Sequence, residues 1–149
     1  MPAYACPDLV SAAKYAGVKP VLVDFEHDRP WMSVDEIKGV VSEKVIAIVA
    51  VNFLGIPERM QAIRGVADEY DALVIEDSAQ AFPVSPDTNF WKGDIVIVSF
   101  GRGKPVSLLG GGALLLRLDQ LAEAKKVFDT TRKQSRDSQS VGYLSLIHI

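Results

Sequence analysis

Ala72-Leu73-Val74-Ile75-Glu76-Asp77-Ser78-Ala79-Gln80 and, further on, Ile95-Val96-Ile97-Val98-Ser99-Phe100-Gly101-Arg102-Gly103-Lys104 decide the reading of this chain. Each stretch opens on a short apolar run and then turns polar, the pattern of a buried parallel strand running out into a loop. In open α/β sheets, ligands sit beyond the carboxyl ends of the strands, where loops present side chains without interrupting the ladder. Asp77 and Lys104 both fall there. Gly101 and Gly103 permit a tight, closely approaching backbone ahead of the lysine, and Pro105 removes an amide and limits helix continuation. A lysine that can form an imine with an aldehyde, and a carboxylate that can pair with a protonated ring nitrogen, are the two protein groups a pyridoxal phosphate site needs.

Outward from these two stretches the chain alternates helical and extended patterns. A helix is expected from Pro7 to Ala16, stopped at Gly17, then a strand from Pro20 to Phe25. Ser33-Val34-Asp35-Glu36 offers a capping box for a short helix, and Val45 to Val51 is a β-branched strand. Pro57 suits the first turn of the next helix, whose Ile63, Val66, Ala67 and Tyr70 share one face toward the sheet. That helix makes the crossover between parallel strands. Ser85 to Gly93 reads as a loop, Gly111 to Leu118 as a further strand, and Asp119 as the cap of a last helix. Thr130 to Ser140 is polar enough to be exposed.

The ordered set Asp77, Gln80, Ser99 and Lys104 resembles the DegT/StrS-type sugar aminotransferases, pyridoxal phosphate enzymes of the aspartate-aminotransferase fold. The resemblance runs from Pro2 to Leu116. It also rests on Pro2-Ala3-Tyr4, on Ala16-Gly17-Val18-Lys19-Pro20-Val21-Leu22-Val23-Asp24, on Val51-Asn52-Phe53-Leu54-Gly55 and on Gly110-Gly111-Gly112. The resemblance implies a three-layer α/β/α large domain with a mostly parallel sheet, incomplete at both ends, in which Gly111 to Leu118 runs antiparallel to its neighbours. It implies that Asp77 binds the pyridine nitrogen, Gln80 lies against the ring near its phenolic oxygen, Ser99 contacts the phosphate and Lys104 carries the cofactor as an imine and moves the proton. Asn52 is a further candidate cofactor contact, with satisfaction of backbone groups as its other reading. An amino acid, glutamate in the family, would give nitrogen to a keto sugar, commonly nucleotide-linked. Another lysine-imine enzyme of the same fold, or a noncatalytic α/β dimerisation module, are the alternatives.

Two departures stand out. Where the family has an aromatic residue stacked on the cofactor, this chain has Cys6, itself expected to be a small hydrophobe. Tyr4, two residues earlier, would share its face on a strand without occupying its place. The retained lysine argues against the family's sugar dehydratases, which carry histidine there. Residues 1–131 are expected to form part of the cofactor-binding large domain and 132–149 a polar tail. The resemblance places a helix and a phosphate-binding turn ahead of Pro2 and a small domain after the last strand, so the chain is expected to be truncated, and Leu144-Ser145-Leu146-Ile147-His148-Ile149 to be non-native.

Composition sets broader limits. With 149 residues, 48% of them hydrophobic and 23% charged, the chain suits one domain with a real core. A net charge of −3 and scattered basic residues, clustered only near Arg132-Lys133 and Arg136, disfavour nucleic acid as a partner. The single cysteine rules out an internal disulfide framework and is compatible with a reducing cytoplasm. Val45 to Val51, the longest strongly apolar run, is far short of a membrane span, and the start has no secretory pattern. A second copy is the expected partner, because family sites are completed across a dimer. His27 among Glu26, Asp28 and Arg29 reads as a solvated side chain, and no metal site is expected. Gly101-Arg102-Gly103-Lys104 fails as a phosphate loop, since Val98 stands where the first glycine belongs and Pro105 replaces the magnesium-binding hydroxyl. Gly110-Gly111-Gly112 enters a strand instead of opening a helix, so it fails as a dinucleotide fingerprint and suits close passage of backbones.

Overall fold

The computed structural model describes residues 1–85 and 90–117, together with the backbone of Leu144–His148. In chain order these form α1 (Pro7–Tyr15), α2 (Val34–Val40), β1 (Ala47–Val51), a single 3-10 turn (Phe53–Gly55), α3 (Met60–Glu69), β2 (Leu73–Asp77), β3 (Ile95–Ser99), β4 (Gly112–Leu116) and β5 (Leu144–His148). The strands lie in the sheet in that same order. β1 with β2, β2 with β3, and β4 with β5 are parallel, and β3 with β4 is antiparallel. The architecture is therefore α/β with a mostly parallel sheet, and the strand expected over Gly111 to Leu118 is present as β4, antiparallel to β3 as expected but parallel to β5.

Period-two alternation divides the sheet into two unlike faces. Ile48 and Ala50 of β1 and Val74 of β2 are buried with Ile63, Val66 and Ala67 of α3 and Ile37 of α2. α3 forms because those residues recur at helical spacing and give it one apolar stripe, which it lays on the strands it connects. α2 begins where expected: the Ser33 hydroxyl accepts the Glu36 N–H at 3.3 Å, satisfying a free donor of the first turn. On the opposite face Ile75, Ile95, Leu114 and Leu116 make a smaller cluster, and Ile97 is 36% exposed. Gly112 sits where β3 and β4 close together, because a Cβ there would meet the Val98 carbonyl oxygen at 2.5 Å.

Three local expectations need correction. Pro20 to Phe25 is not a continuous strand: only Val23 and Phe25 make bridges, to Pro2 and Met32, and Val21 and Leu22 are exposed. The chain turns back at once, with Glu26 N–H donating to the Trp31 carbonyl, and among the described residues no partner of strand length runs beside it. Pro57 lies ahead of α3 and not in its first turn; its carbonyl accepts the Trp31 indole N–H at 3.0 Å, which ties it to the 26–32 loop. Cys6 is exposed just before α1, a helix that itself buries no residue, so it does not pack as a small hydrophobe. The helix expected after Asp119, the polar Thr130 to Ser140 stretch and positions 86–89 of the loop before β3 lie outside the described residues.

Candidate active site

The end of β2 carries two carboxylates that face opposite ways. Asp77 follows Ile75 onto the less covered face, and the β2–β3 register pairs it with Ile97, which puts Ser99 two residues further along on that same face. Asp77 is 8% exposed, and its Oδ1 accepts the Ala79 N–H at 2.9 Å. Among the described residues no ion pair involves it. A carboxylate this shielded and without a cation is an acceptor available to a positively charged group.

β3 ends at Ser99 and the chain turns through Gly101–Lys104. Ser99 Oγ accepts the Gly101 N–H at 3.3 Å, and the Lys104 N–H donates to the Gly101 carbonyl at 3.3 Å. A Cβ on Gly101 would lie 3.5 Å from Ser99 Oγ and 3.9 Å from Lys104 Cγ, so hydroxyl and lysine stem flank one glycine. Gly103 has φ of 73°, the left-handed conformation the turn needs before the half-buried Lys104. Gln80 is exposed on the loop after β2, and its Oε1 accepts the Leu54 N–H at 2.7 Å. This bond fastens the loop after β1 to the loop after β2. At Gly55, φ is 82°, and a Cβ would come within 3.3 Å of the Gln80 carbonyl.

Asn52 is fully buried, on the α3 side of the sheet. Its Nδ2 donates to Glu76 Oε1 at 2.9 Å and to Ser78 Oγ at 3.2 Å, while its Oδ1 accepts the Glu58 N–H at 2.9 Å. Both ends of the amide are thus engaged within the protein, and the orientation is fixed because a carboxylate requires the donor end and an N–H the acceptor end. Residues that the sequence left unread complete this cluster. Glu76 Oε2 accepts the N–H groups of Lys92 and Gly93 at 2.7 and 2.8 Å, and Ser78 Oγ accepts the Trp91 indole N–H at 3.0 Å and donates to the Ala81 carbonyl at 2.9 Å. The available signal was alternation: Glu76 stands two residues after core-facing Val74, where a polar side chain must be buried and therefore bonded.

At the rim, Tyr4 packs edge-on against Phe25 and Phe53, with ring centroids 6.3 and 5.5 Å away, and is itself 70% exposed. Glu58, also buried, accepts the Met32 and Arg59 N–H groups through its two oxygens, and burial pushes its carboxyl above the ordinary value. Among the described residues, no group of three or more His, Cys, Asp or Glu is arranged to hold a metal ion. No helix there is long and apolar enough to cross a membrane.

Residues 1–144 match the profile of the DegT/DnrJ/EryC1/StrS aminotransferase family. The chain belongs to this family. It is similar to a dTDP-4-amino-4,6-dideoxy-D-glucose transaminase of Shigella dysenteriae, 32% identical over 109 residues, which cover 72% of this chain and 30% of that protein. Among solved structures it resembles DesI in the presence of its TDP-sugar product, with a TM-score of 0.68 and 27% identity over 75% of this chain and 29% of that one. It also resembles NtdA from Bacillus subtilis with bound cofactor PMP, with a TM-score of 0.63 and 27% identity over 74% of this chain and 25% of that one. The chain thus spans about a third or less of the length of these relatives.

Proposed function

We propose that the protein carrying this chain is a pyridoxal phosphate-dependent aminotransferase that moves an amino group from an amino acid, glutamate as first choice, to a keto group on a nucleotide-linked sugar. The observation that carries the proposal is Asp77: a shielded carboxylate with no ionic partner among the described residues, on the same sheet face and at the same strand ends as Ser99 and the Gly101–Lys104 turn. That set fits the cofactor's chemistry, since it offers an anion for a ring cation, a hydroxyl for a phosphate and a primary amine for an aldehyde. The relatives' sugar-nucleotide names and the PMP bound to NtdA support the same reading.

Pyridoxal phosphate, when bound, supplies an electron sink for the carbon that loses its proton. Asp77 would hold the ring's protonated nitrogen by charge pairing, with its own orientation kept by the Ala79 N–H. Ser99 Oγ and the neighbouring Gly101 backbone would position the phosphate, and Lys104 Nζ would attach the cofactor, take up a proton and return it. Gln80 would sit beside the ring while keeping the Leu54 loop against it. Asn52, whose amide is engaged inside the sheet, would act from beneath the site. The reading carries a homodimer and a cytoplasmic location with it, following the family's shared sites and the single cysteine.

The test is a visible absorption spectrum of the full-length protein with pyridoxal phosphate, before and after glutamate, for the native protein and for Lys104→Ala. A band that glutamate converts and Lys104→Ala abolishes is expected. An unchanged spectrum and rate in Lys104→Ala would overturn the assignment. A lysine-dependent band that no amino donor converts would point instead to a different lysine-imine reaction on the same fold.

A further inference from the structure

We propose that Glu76 is the positioning residue for Asp77: through Asn52, Lys92 and Gly93 it locks the end of β2 to β1 and to the start of β3, and so fixes Asp77 relative to Ser99. The inference rests on the reading of Asp77 as the cofactor's partner. Its geometric basis is independent of that reading.

The Glu76 side chain is 1% exposed and meets donors only. Oε1 takes the Asn52 amide, and Oε2 takes two consecutive backbone N–H groups. A group that only accepts is what three converging donors require, and a carboxylate is the acceptor-only side chain that reaches them. The approach is so close that position 93 must be glycine: a Cβ there would lie 2.7 Å from Glu76 Cβ and 2.9 Å from the Ile95 carbonyl. Each partner belongs to a different piece of the site. Asn52 directly follows β1 and donates its own backbone N–H to the Asp77 carbonyl at 2.9 Å. Lys92-Gly93 lead into β3, whose far end is Ser99. Ser78, on the other side of Asp77, is held by Asn52 and Trp91 through its hydroxyl and donates its N–H to the Ile97 carbonyl at 2.8 Å.

Asp77 is therefore flanked by two residues clamped on the covered face, while its own carboxylate faces the other way and, among the described residues, accepts one bond, from the Ala79 N–H. Only three residue pairs join β2 to β3, so the alignment of Asp77 with Ser99 depends on what reinforces that short ladder. The Glu76 clamp on Lys92-Gly93 reinforces its start, together with Asp94, whose Oδ2 accepts the Val74 N–H at 2.7 Å and is held by Arg64. An angstrom-scale slip there would carry the anion and the phosphate hydroxyl out of common register with one rigid cofactor.

The experiment compares full-length native protein with Glu76→Gln, Asn52→Asp, the double variant carrying both, and Asp77→Asn. Thermal midpoint, affinity for pyridoxal phosphate and the pH midpoint of the cofactor's visible band are measured for each. Glu76→Gln puts an amide N–H against a donor, and it is expected to weaken pyridoxal phosphate binding about tenfold and to move the band's pH midpoint in the same direction as Asp77→Asn. In the double variant the donor and acceptor change places across the 52–76 contact, and affinity and midpoint are expected to recover toward native. Ser78→Ala is a smaller cut in the same network; it carries the test if Glu76→Gln does not fold, with a midpoint shift of the same sign expected. A fall in thermal midpoint with unchanged affinity and unchanged band midpoint would overturn the positioning role while leaving the cofactor reading intact. Failure of the native protein to bind pyridoxal phosphate, or a band indifferent to Asp77→Asn, would remove the reading beneath it and the inference with it.

Discussion

Glu76 and Asp77 are consecutive acids on one strand, both buried, yet among the described residues one accepts three hydrogen bonds and the other accepts one. The alternation of the strand places them on opposite faces. On the α3 side every polar atom of the Asn52–Glu76–Ser78 group has a partner, and that satisfaction makes a buried polar cluster structural. On the other side the carboxylate is shielded and, among the described residues, has no ion-pair partner, which suits the cofactor role proposed for it. Chemically similar side chains thus divide into scaffold and site by the direction they point, and truncating them should separate the two roles. Glu76→Ala leaves three donors without an acceptor and is expected to lower the unfolding free energy by about 4 kcal/mol, against under about 1 kcal/mol for Asp77→Ala, by denaturant titration. Equal losses would erase the distinction.

Gly93 sharpens the comparison from the backbone. Gly93→Ala keeps every hydrogen-bonding group but places a methyl against Glu76 Cβ, the Glu76 nitrogen and the Ile95 carbonyl, two of which are backbone atoms that cannot swing aside. A cost of about 3 kcal/mol is expected, of the order that overpacking brings. If the variant unfolds at the same denaturant concentration as the native protein, the loop is free to withdraw and the clamp is weaker than its geometry implies.

The two faces differ in their apolar residues as well. Ile63 of α3 is fully buried in the covered face, whereas Ile97 of β3, on the Asp77 face, is 36% exposed. Ile63→Ala should cost about 3 kcal/mol through lost transfer energy and a residual cavity, and Ile97→Ala less than about 1 kcal/mol. Comparable values would mean that Ile97 is covered in solution.

Most of this frame was legible in the sequence, because it follows from short-range pattern. The apolar runs ending at Asp77 and Ser99, the helical stripe of Ile63, Val66 and Ala67, and the Ser33 cap each read directly as the element they form. What escaped depends on distant partners. Pro20 to Phe25 has strand-like residues but finds only isolated bridges, and Pro57 is held outside α3 by an indole 26 residues away. At the site, Asp77, Ser99 and Lys104 stand out as chemistry-bearing residues at strand ends. Glu76 and Gly93 do not, since a carboxylate meeting the N–H groups of a loop 16 and 17 residues on leaves no local trace. Asn52 was visible, but the direction of its amide became so only with Glu76 and Glu58 beside it.

The smallest expected effect concerns Glu58, the buried acid at the edge of the covered face. Loss of hydration pushes its carboxyl above the ordinary value of 4.5; the Met32 and Arg59 N–H groups and the Arg59 guanidinium pull the other way and offset only part of it. In the folded state Glu58 therefore keeps its proton to higher pH than in the unfolded chain. Below the ordinary value both states are protonated and Glu58 adds no pH dependence. Between that value and the raised one the folded state binds more protons, so the unfolding free energy falls as pH rises through the window, and above it the penalty is constant. Glu58→Gln removes this titration. The difference in unfolding free energy between native protein and variant, followed by denaturant titration from acid toward neutral pH, should decline across the window and then level off. A difference that instead grows with pH would mean that the two backbone donors outweigh burial, and that Glu58, like Glu76, is held chiefly as an acceptor.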